Sequence, residues 1–179
     1  MPRGDRDDDL AAIEAALWRE LDAATRDPQH DWRTPALATR DGETPQVRTV
    51  VLREVDAAQR RVVVYSDARA AKVAELQACP HAAMLLWSPR LGWQLRLAPE
   101  VAVRADGVAV TSRWARVKMT PHARDYLSAH APGRPLQAPG EAPPPGERAH
   151  FAVLEAEVRA IDWLELHPDG HRRARFAAH

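Results

Sequence analysis

At Thr34 the hydrophobic period of this chain changes, and from there it reads mainly as short antiparallel strands. Residues 36–39 form a first short strand, and Asp41-Gly42 gives a turn signal. Residues 47–55 and 61–66 are β-branched, mostly apolar runs of strand length. Further strands are expected at 82–87 and 93–104, with 89–92 as the turn between them. A long strand follows at 149–166, and a last one at 171–176 after the Pro168-Asp169-Gly170 turn. One helix, 69–78, interrupts the series, with Val73 and Leu76 facing inward and Cys79-Pro80 stopping it. Six or seven strands in meander order, without regular crossover helices, fit a doubly wound parallel sheet poorly. They predict a mainly β domain with flanking helices, a small antiparallel barrel.

Ahead of this series, Leu10, Ile13, Ala16, Leu17, Leu21 and Ala24 lie at helical spacing, giving an amphipathic helix over 10–27 that Pro28 ends. Thr111-Ser112 reads as the N-cap of a second flanking helix, and Pro121 restarts another through about residue 129. Residues 131–147 hold six of the 15 prolines, so a long surface loop is expected over about 131–148. No internal repeat is present, and 1–179 reads as one domain.

Composition narrows the function classes. Lys+Arg 25 against Asp+Glu 25 cancels, which argues against a protein gripping nucleic acid by bulk charge. The single cysteine, Cys79, allows no internal disulfide and no cysteine-rich zinc site. The N-terminus is acidic and polar, and no long apolar run occurs, so a soluble cytoplasmic protein without a membrane span is the expectation. Phosphate-loop, dinucleotide, nucleophile-elbow and zinc-protease motifs are all missing. His167 and His171 stand four apart, but Pro168 and Gly170 break any helix that would align them on a metal.

What remains is anion chemistry. Only two of the 25 basic side chains are lysines, Lys72 and Lys118. In VYSDARAAKVAEL (64–76) a strand ends in Tyr65-Ser66 and a helix opens near Arg69 with Lys72 in its first turn. Helix N-terminal N–H groups, a hydroxyl, an arginine and a lysine together make a cradle for phosphate. A plain Asp67 cap with solvated basic residues remains the alternative on spacing alone. Arg48 and Arg53 in RTVVLR stand five apart, an odd separation that puts them on opposite faces of a flat strand.

These segments, with LATRDGETPQVRTVVLREVD (37–56), AAMLLW (82–87) and WQLRL (93–97), resemble in order and spacing the pyridoxamine 5′-phosphate oxidase-related FMN-binding split-barrel family. The resemblance covers about 37–104. It implies an FMN-binding split β-barrel, a homodimer with FMN at the interface, and a small-molecule substrate. It also implies that Arg48 and Lys72 hold the FMN phosphate, with Arg69 beside them. Arg53 stands at the edge of cofactor and substrate, Val50, Val51 and Leu52 lie along the cofactor, Tyr65 and Ser66 line it, and Gln94 bonds the flavin side. More weakly, Trp163 and Arg173 match a Trp…His-x-Arg pattern, with His171 between, that reaches FMN from the partner subunit.

The substrate side departs from the family. Tyr126 is followed four residues later by His130 rather than arginine, and Asp169 stands where an arginine faces substrate. The expectation is therefore a flavoprotein, an FMN-dependent oxidoreductase of this group on a small molecule other than the vitamin. A flavin reductase or flavin carrier of the same fold, and a non-catalytic or haem-binding barrel, are the alternatives. His171 is the sole candidate for a general base.

Overall fold

The computed structural model describes residues 9–134 and 150–178. The acidic start of the chain and most of the proline-rich segment expected as a loop lie outside the described residues.

Helix α1, Leu10–Arg26, is capped by Asp9, whose carboxylate accepts from the Ala11 N–H at 3.0 Å. Its stripe buries Ile13, Leu17, Leu21 and Ala24 as the spacing predicts, and Trp18 as well. Leu10 is exposed at the fraying first turn. Arg33 donates to the carbonyls of Ala24 and Thr25 at the end of α1 and to Leu52 beyond it, which ties the helix to the sheet.

The strands are β1 Ala36–Asp41, β2 Thr44–Thr49, β3 Leu52–Asp56, β4 Arg61–Asp67, β5 Ala83–Ser88, β6 Trp93–Arg104, β7 Phe151–Glu165 and β8 Arg172–Ala177. They form one antiparallel sheet in the order β2-β1-β5-β6-β7-β4-β3, with β8 paired to β7. The long β7 holds β6 along its whole length. Its other side pairs with β4 over its first half and with β8 over its second. That forked pairing splits the barrel, and the sheet does not close by hydrogen bonds.

The continuous strand expected over 47–55 is two strands. Val50 donates its N–H to the Pro35 carbonyl at 3.0 Å instead of to a ladder, so the chain leaves β1 there. Because β2 and β3 stand at opposite ends of the sheet, the Val50-Val51 link joins the two edges covalently. A run of β-branched residues gives no local sign of such a break.

The inner face carries the main core, in which Trp32, Leu86, Leu95, Leu97, Ile161 and Trp163 are almost fully buried. A smaller cluster on the other side of β4 and β7 gathers Val63, Phe151, Val153, Val110 and Tyr126. It is covered by α3, Val108–Val117, and α4, Arg124–Leu127, which a 3-10 turn at Pro121–Ala123 connects. Helix α3 starts four residues earlier than the expected Thr111-Ser112 cap. Gly107, at φ 86°, takes the cap position, and the Thr111 hydroxyl bonds back to the Gly107 carbonyl within the helix.

Candidate functional site

Helix α2, Ala71–Ala78, opens two residues later than expected because Asp67 folds the preceding turn. Its carboxylate accepts from the Arg69 N–H at 2.8 Å. Ala70 takes the cap position with no side-chain hydrogen bond, so among the described residues no side chain caps the N-terminal end of α2. Lys72 lies in that first turn, and its ammonium donates to the buried Ser66 hydroxyl at 3.2 Å. Arg48, on the edge strand β2, donates from Nη2 to Glu75 Oε2 at 2.9 Å and from Nη1 to the Thr39 hydroxyl. The Thr39 hydroxyl in turn donates to Glu75.

The structure thus brings Arg48, Ser66 and Lys72 together at the mouth of α2. Burial, and after it the like charge of Arg48, holds the Lys72 ammonium below the usual lysine range, although Asp67 and Glu75 act the other way. Two neighbouring cations, a hydroxyl and an uncapped helix start are the donor set a dianionic phosphate requires, and these residues fit it.

Arg69 is spent differently. Its guanidinium grips Asp67, with Nη2 2.7 Å from Oδ2, and donates to the carbonyls of Ser128, Ala129 and His130. It fastens the end of α4 to the corner between β4 and α2.

Tyr65 and Ser66 are neighbours on β4 and so face opposite sides of it. Val62, Val64 and Ser66 look toward the barrel, whereas Val63 and Tyr65 look toward the α3–α4 cluster. Tyr65 lines a cleft of about 300 Å³ with Arg53, Glu54, Arg116, Val117, Thr120 and His122. The Arg53 guanidinium stands 5.8 Å from the Tyr65 ring centre. Arg53 and Arg48 sit on different strands, so the opposite-face expectation for a single strand does not apply.

The Tyr65 hydroxyl donates to Glu54 at 2.6 Å, and Arg113 clamps the same carboxylate from Nε and Nη2 at 2.9 and 2.8 Å. Burial and the Glu54 bond push the tyrosine hydroxyl up, beyond its usual range. Burial would raise the Glu54 carboxyl, but the bonds from Arg113 and Tyr65 outweigh it and leave it below the usual carboxylate range. Val50 and Leu52 are buried and Val51 is half-buried between these two centres.

Gln94 is on the other side of the sheet. It lies in the outward row Trp87–Gln94–Leu164–Arg173, while Arg48 lies in the inward row with Leu37, Met84, Leu97 and Ile161. Trp163 is fully buried and meets Trp93 edge-on at 5.5 Å. Arg173 is exposed on the opposite face, bonded to Asp162 at 2.5 Å. Trp163 and Arg173 of one chain therefore do not meet. His171 and Asp169 are in the exposed β7–β8 turn, where His171 Nδ1 accepts from the His167 N–H at 3.2 Å. Among the described residues no cluster of His, Cys, Asp and Glu suits a metal, and no helix is long and apolar enough to cross a membrane.

Sequence reasoning assigned no role to Thr39, Glu75, Glu54 or Arg113. Glu75 was open to it, since it follows Lys72 at i+3 on one helix face. Glu54 and Arg113 are 59 residues apart, and no local pattern joins them.

Residues 15–105 match the pyridoxamine 5′-phosphate oxidase, FMN-binding domain family. Among solved structures, a pyridoxamine 5′-phosphate oxidase-related, FMN-binding protein from Nostoc punctiforme is 22% identical, with TM-score 0.68 over 96% of this chain and 99% of that one. PhzG from Burkholderia lata, solved with tetrahydrophenazine-1-carboxylic acid, is 19% identical with TM-score 0.69, over 98% of this chain and 89% of that one. A haem-binding protein from Mycobacterium smegmatis is 18% identical with TM-score 0.57, over 91% of this chain and 57% of that one. No curated protein matches the sequence.

Proposed function

Since the chain belongs to the pyridoxamine 5′-phosphate oxidase FMN-binding domain family, we propose that it binds FMN and serves as an oxidoreductase on a small molecule. The observation that carries this reading is the meeting of Arg48, Ser66 and Lys72 at the uncapped start of α2. Those groups would hold the phosphate, and the run Val50, Val51, Leu52 would lie along the rest of the cofactor. FMN, when bound, supplies the electron-accepting and electron-donating chemistry, and the protein's residues bind and orient. Tyr65 and Arg53 would receive the substrate in the cleft beneath α3. The Tyr65 hydroxyl gives its one proton to Glu54, so it would offer a substrate there an acceptor lone pair.

The faces of the sheet support a homodimer as part of this reading. Gln94 and Arg48 lie on opposite faces of one chain, so a single FMN touching both needs a second copy. The outward face also exposes Val47, Leu85 and Trp87, an apolar patch suited to burial against that copy. One domain acting in the cytoplasm completes the proposal.

The test is the visible absorption spectrum of the purified protein after FMN addition and desalting. Two retained flavin bands are the expected result. A single sharp haem band would overturn the cofactor, and no retained chromophore would overturn the flavoprotein reading altogether.

A further inference from the structure

Thr39 and Glu75 are 5% and 8% exposed, polar, and outside every contact assigned above to the cofactor. They close a ring with Arg48. Glu75 Oε2 accepts from Arg48 Nη2 at 2.9 Å and from the Thr39 hydroxyl, which accepts from Arg48 Nη1. An arginine on an edge strand would otherwise sample many rotamers. Here its guanidinium is held at its terminal nitrogens by groups from β1 and α2, and the side chain stays 24% exposed. Lys72, one turn before Glu75 on the same helix, is anchored on Ser66. One short helix therefore sets the place of both cations relative to its own N-terminus.

We propose that Glu75 and Thr39 are positioning residues that orient Arg48 for the phosphate of the cofactor, and so set the preference of this protein for FMN over riboflavin. The inference rests on the FMN reading above. Its physics is preorganisation: the ordering cost of the arginine is met on folding and is not charged against binding. A carboxylate that served only to neutralise Arg48 predicts the opposite sign. Its removal would free the guanidinium for phosphate and strengthen FMN binding.

The experiment measures dissociation constants for FMN and for riboflavin by flavin fluorescence, in the whole protein and in four variants. Glu75→Leu is expected to lose about tenfold of the FMN-over-riboflavin preference, with riboflavin affinity unchanged. Thr39→Val shifts the preference the same way by less. Glu75→Gln and Thr39→Ser, which keep acceptor and donor, retain most of it. If Glu75→Leu does not fold by circular dichroism, Thr39→Val decides the matter. A preference that is unchanged or increased in the folded variants overturns the positioning role alone. A wild-type protein that does not prefer FMN to riboflavin overturns the phosphate cradle beneath it.

Discussion

The cradle at α2 and the cleft beneath α3 are built from the same parts in reverse. Each hangs an arginine and a hydroxyl on one glutamate: Arg48 and Thr39 on Glu75, Arg113 and Tyr65 on Glu54. In the cradle the carboxylate is the buried member, at 8% exposure, and Arg48 is the more exposed one at 24%. In the cleft the carboxylate faces outward at 32% and Arg113 is the buried member at 13%. The more exposed member decides what each centre offers a ligand. The cradle presents positive charge with donors to spare, whereas the Arg113 charge is consumed in docking α3. Arg53 and Arg116 line the cleft beside it, and Arg116 itself stands 3.7 Å from Glu54. A protein with no net charge can hold an anion only where the geometry gathers local positive charge, as Arg48 and Lys72 do at the start of α2.

The sharpest way to break that contrast is Lys72→Ala. It removes an ammonium from a dianionic phosphate and should weaken FMN affinity by about tenfold to a hundredfold, with riboflavin affinity unchanged. Fluorescence titration reads both. Equal losses for the two flavins would mean the lysine supports the fold and not the phosphate. Arg69→Ala comes next. Its partner Asp67 is 3% exposed, and stripping the guanidinium leaves that carboxylate without its ion pair, at a cost of about 2 kcal/mol in denaturant unfolding. The FMN-over-riboflavin ratio should not move, because Arg69 is committed to Asp67 and to carbonyls at the end of α4. A fall in that ratio would return Arg69 to the cradle.

How much of this was legible in the sequence follows from the range of each interaction. Residue types beside a turn pointed to Ser66, Arg69 and Lys72, because the strand end and the helix start are local features; Arg69 is committed to Asp67, and Arg48, on a distant strand, came from the family resemblance alone. Tyr65 and Ser66 are adjacent in the sequence, but the period of β4 sends their side chains to opposite faces, one toward each centre. The split of residues 47–55 was not readable. Its cause is a hydrogen bond from Val50 to Pro35 and a change of partner strand, both tertiary. Trp163 and Arg173 face opposite sides of the sheet for a reason that β8 alone supplies. Ala174, not Arg173, pairs with Trp163, which turns Arg173 outward.

Gln94→Leu probes the outward face. If Gln94 of a second copy bonds the flavin ring, the flavin reduction potential should move by about 20 mV, equal to about 1 kcal/mol for a two-electron couple. FMN retention should change little. A constant potential would make Gln94 a strand residue only, and the composite site would lose its main support.

The smallest expected effect isolates the cleft. Glu54→Gln keeps the shape of the clamp on Arg113 but removes its charge, and should cost about 0.5 kcal/mol, as a partly exposed pair does. The pH dependence carries the sign. Because the folded carboxyl lies below its ordinary 4.5, the wild-type contribution is present above that value and fades as pH falls through the depressed one. The protection factors of α3 amides, taken against the intrinsic exchange rate at each pH, should therefore fall in wild type on acidification and show no such step in Glu54→Gln. Tyr65 gives the matching alkaline signal. Its folded hydroxyl is raised by burial and by Glu54, so its stabilising share holds below the ordinary 10.0 and is lost as pH rises toward the raised value. Tyr126 is raised as well, chiefly by burial, and these two are the only tyrosines of the chain. In Glu54→Gln the ultraviolet tyrosinate titration should split, with one tyrosine ionising earlier than in wild type and the other unchanged. Cradle variants should leave both where they were, since no group of the cradle faces either ring. A tyrosinate shift in Glu75→Leu would mean the two centres are coupled through β4, and the contrast between them would have to be redrawn.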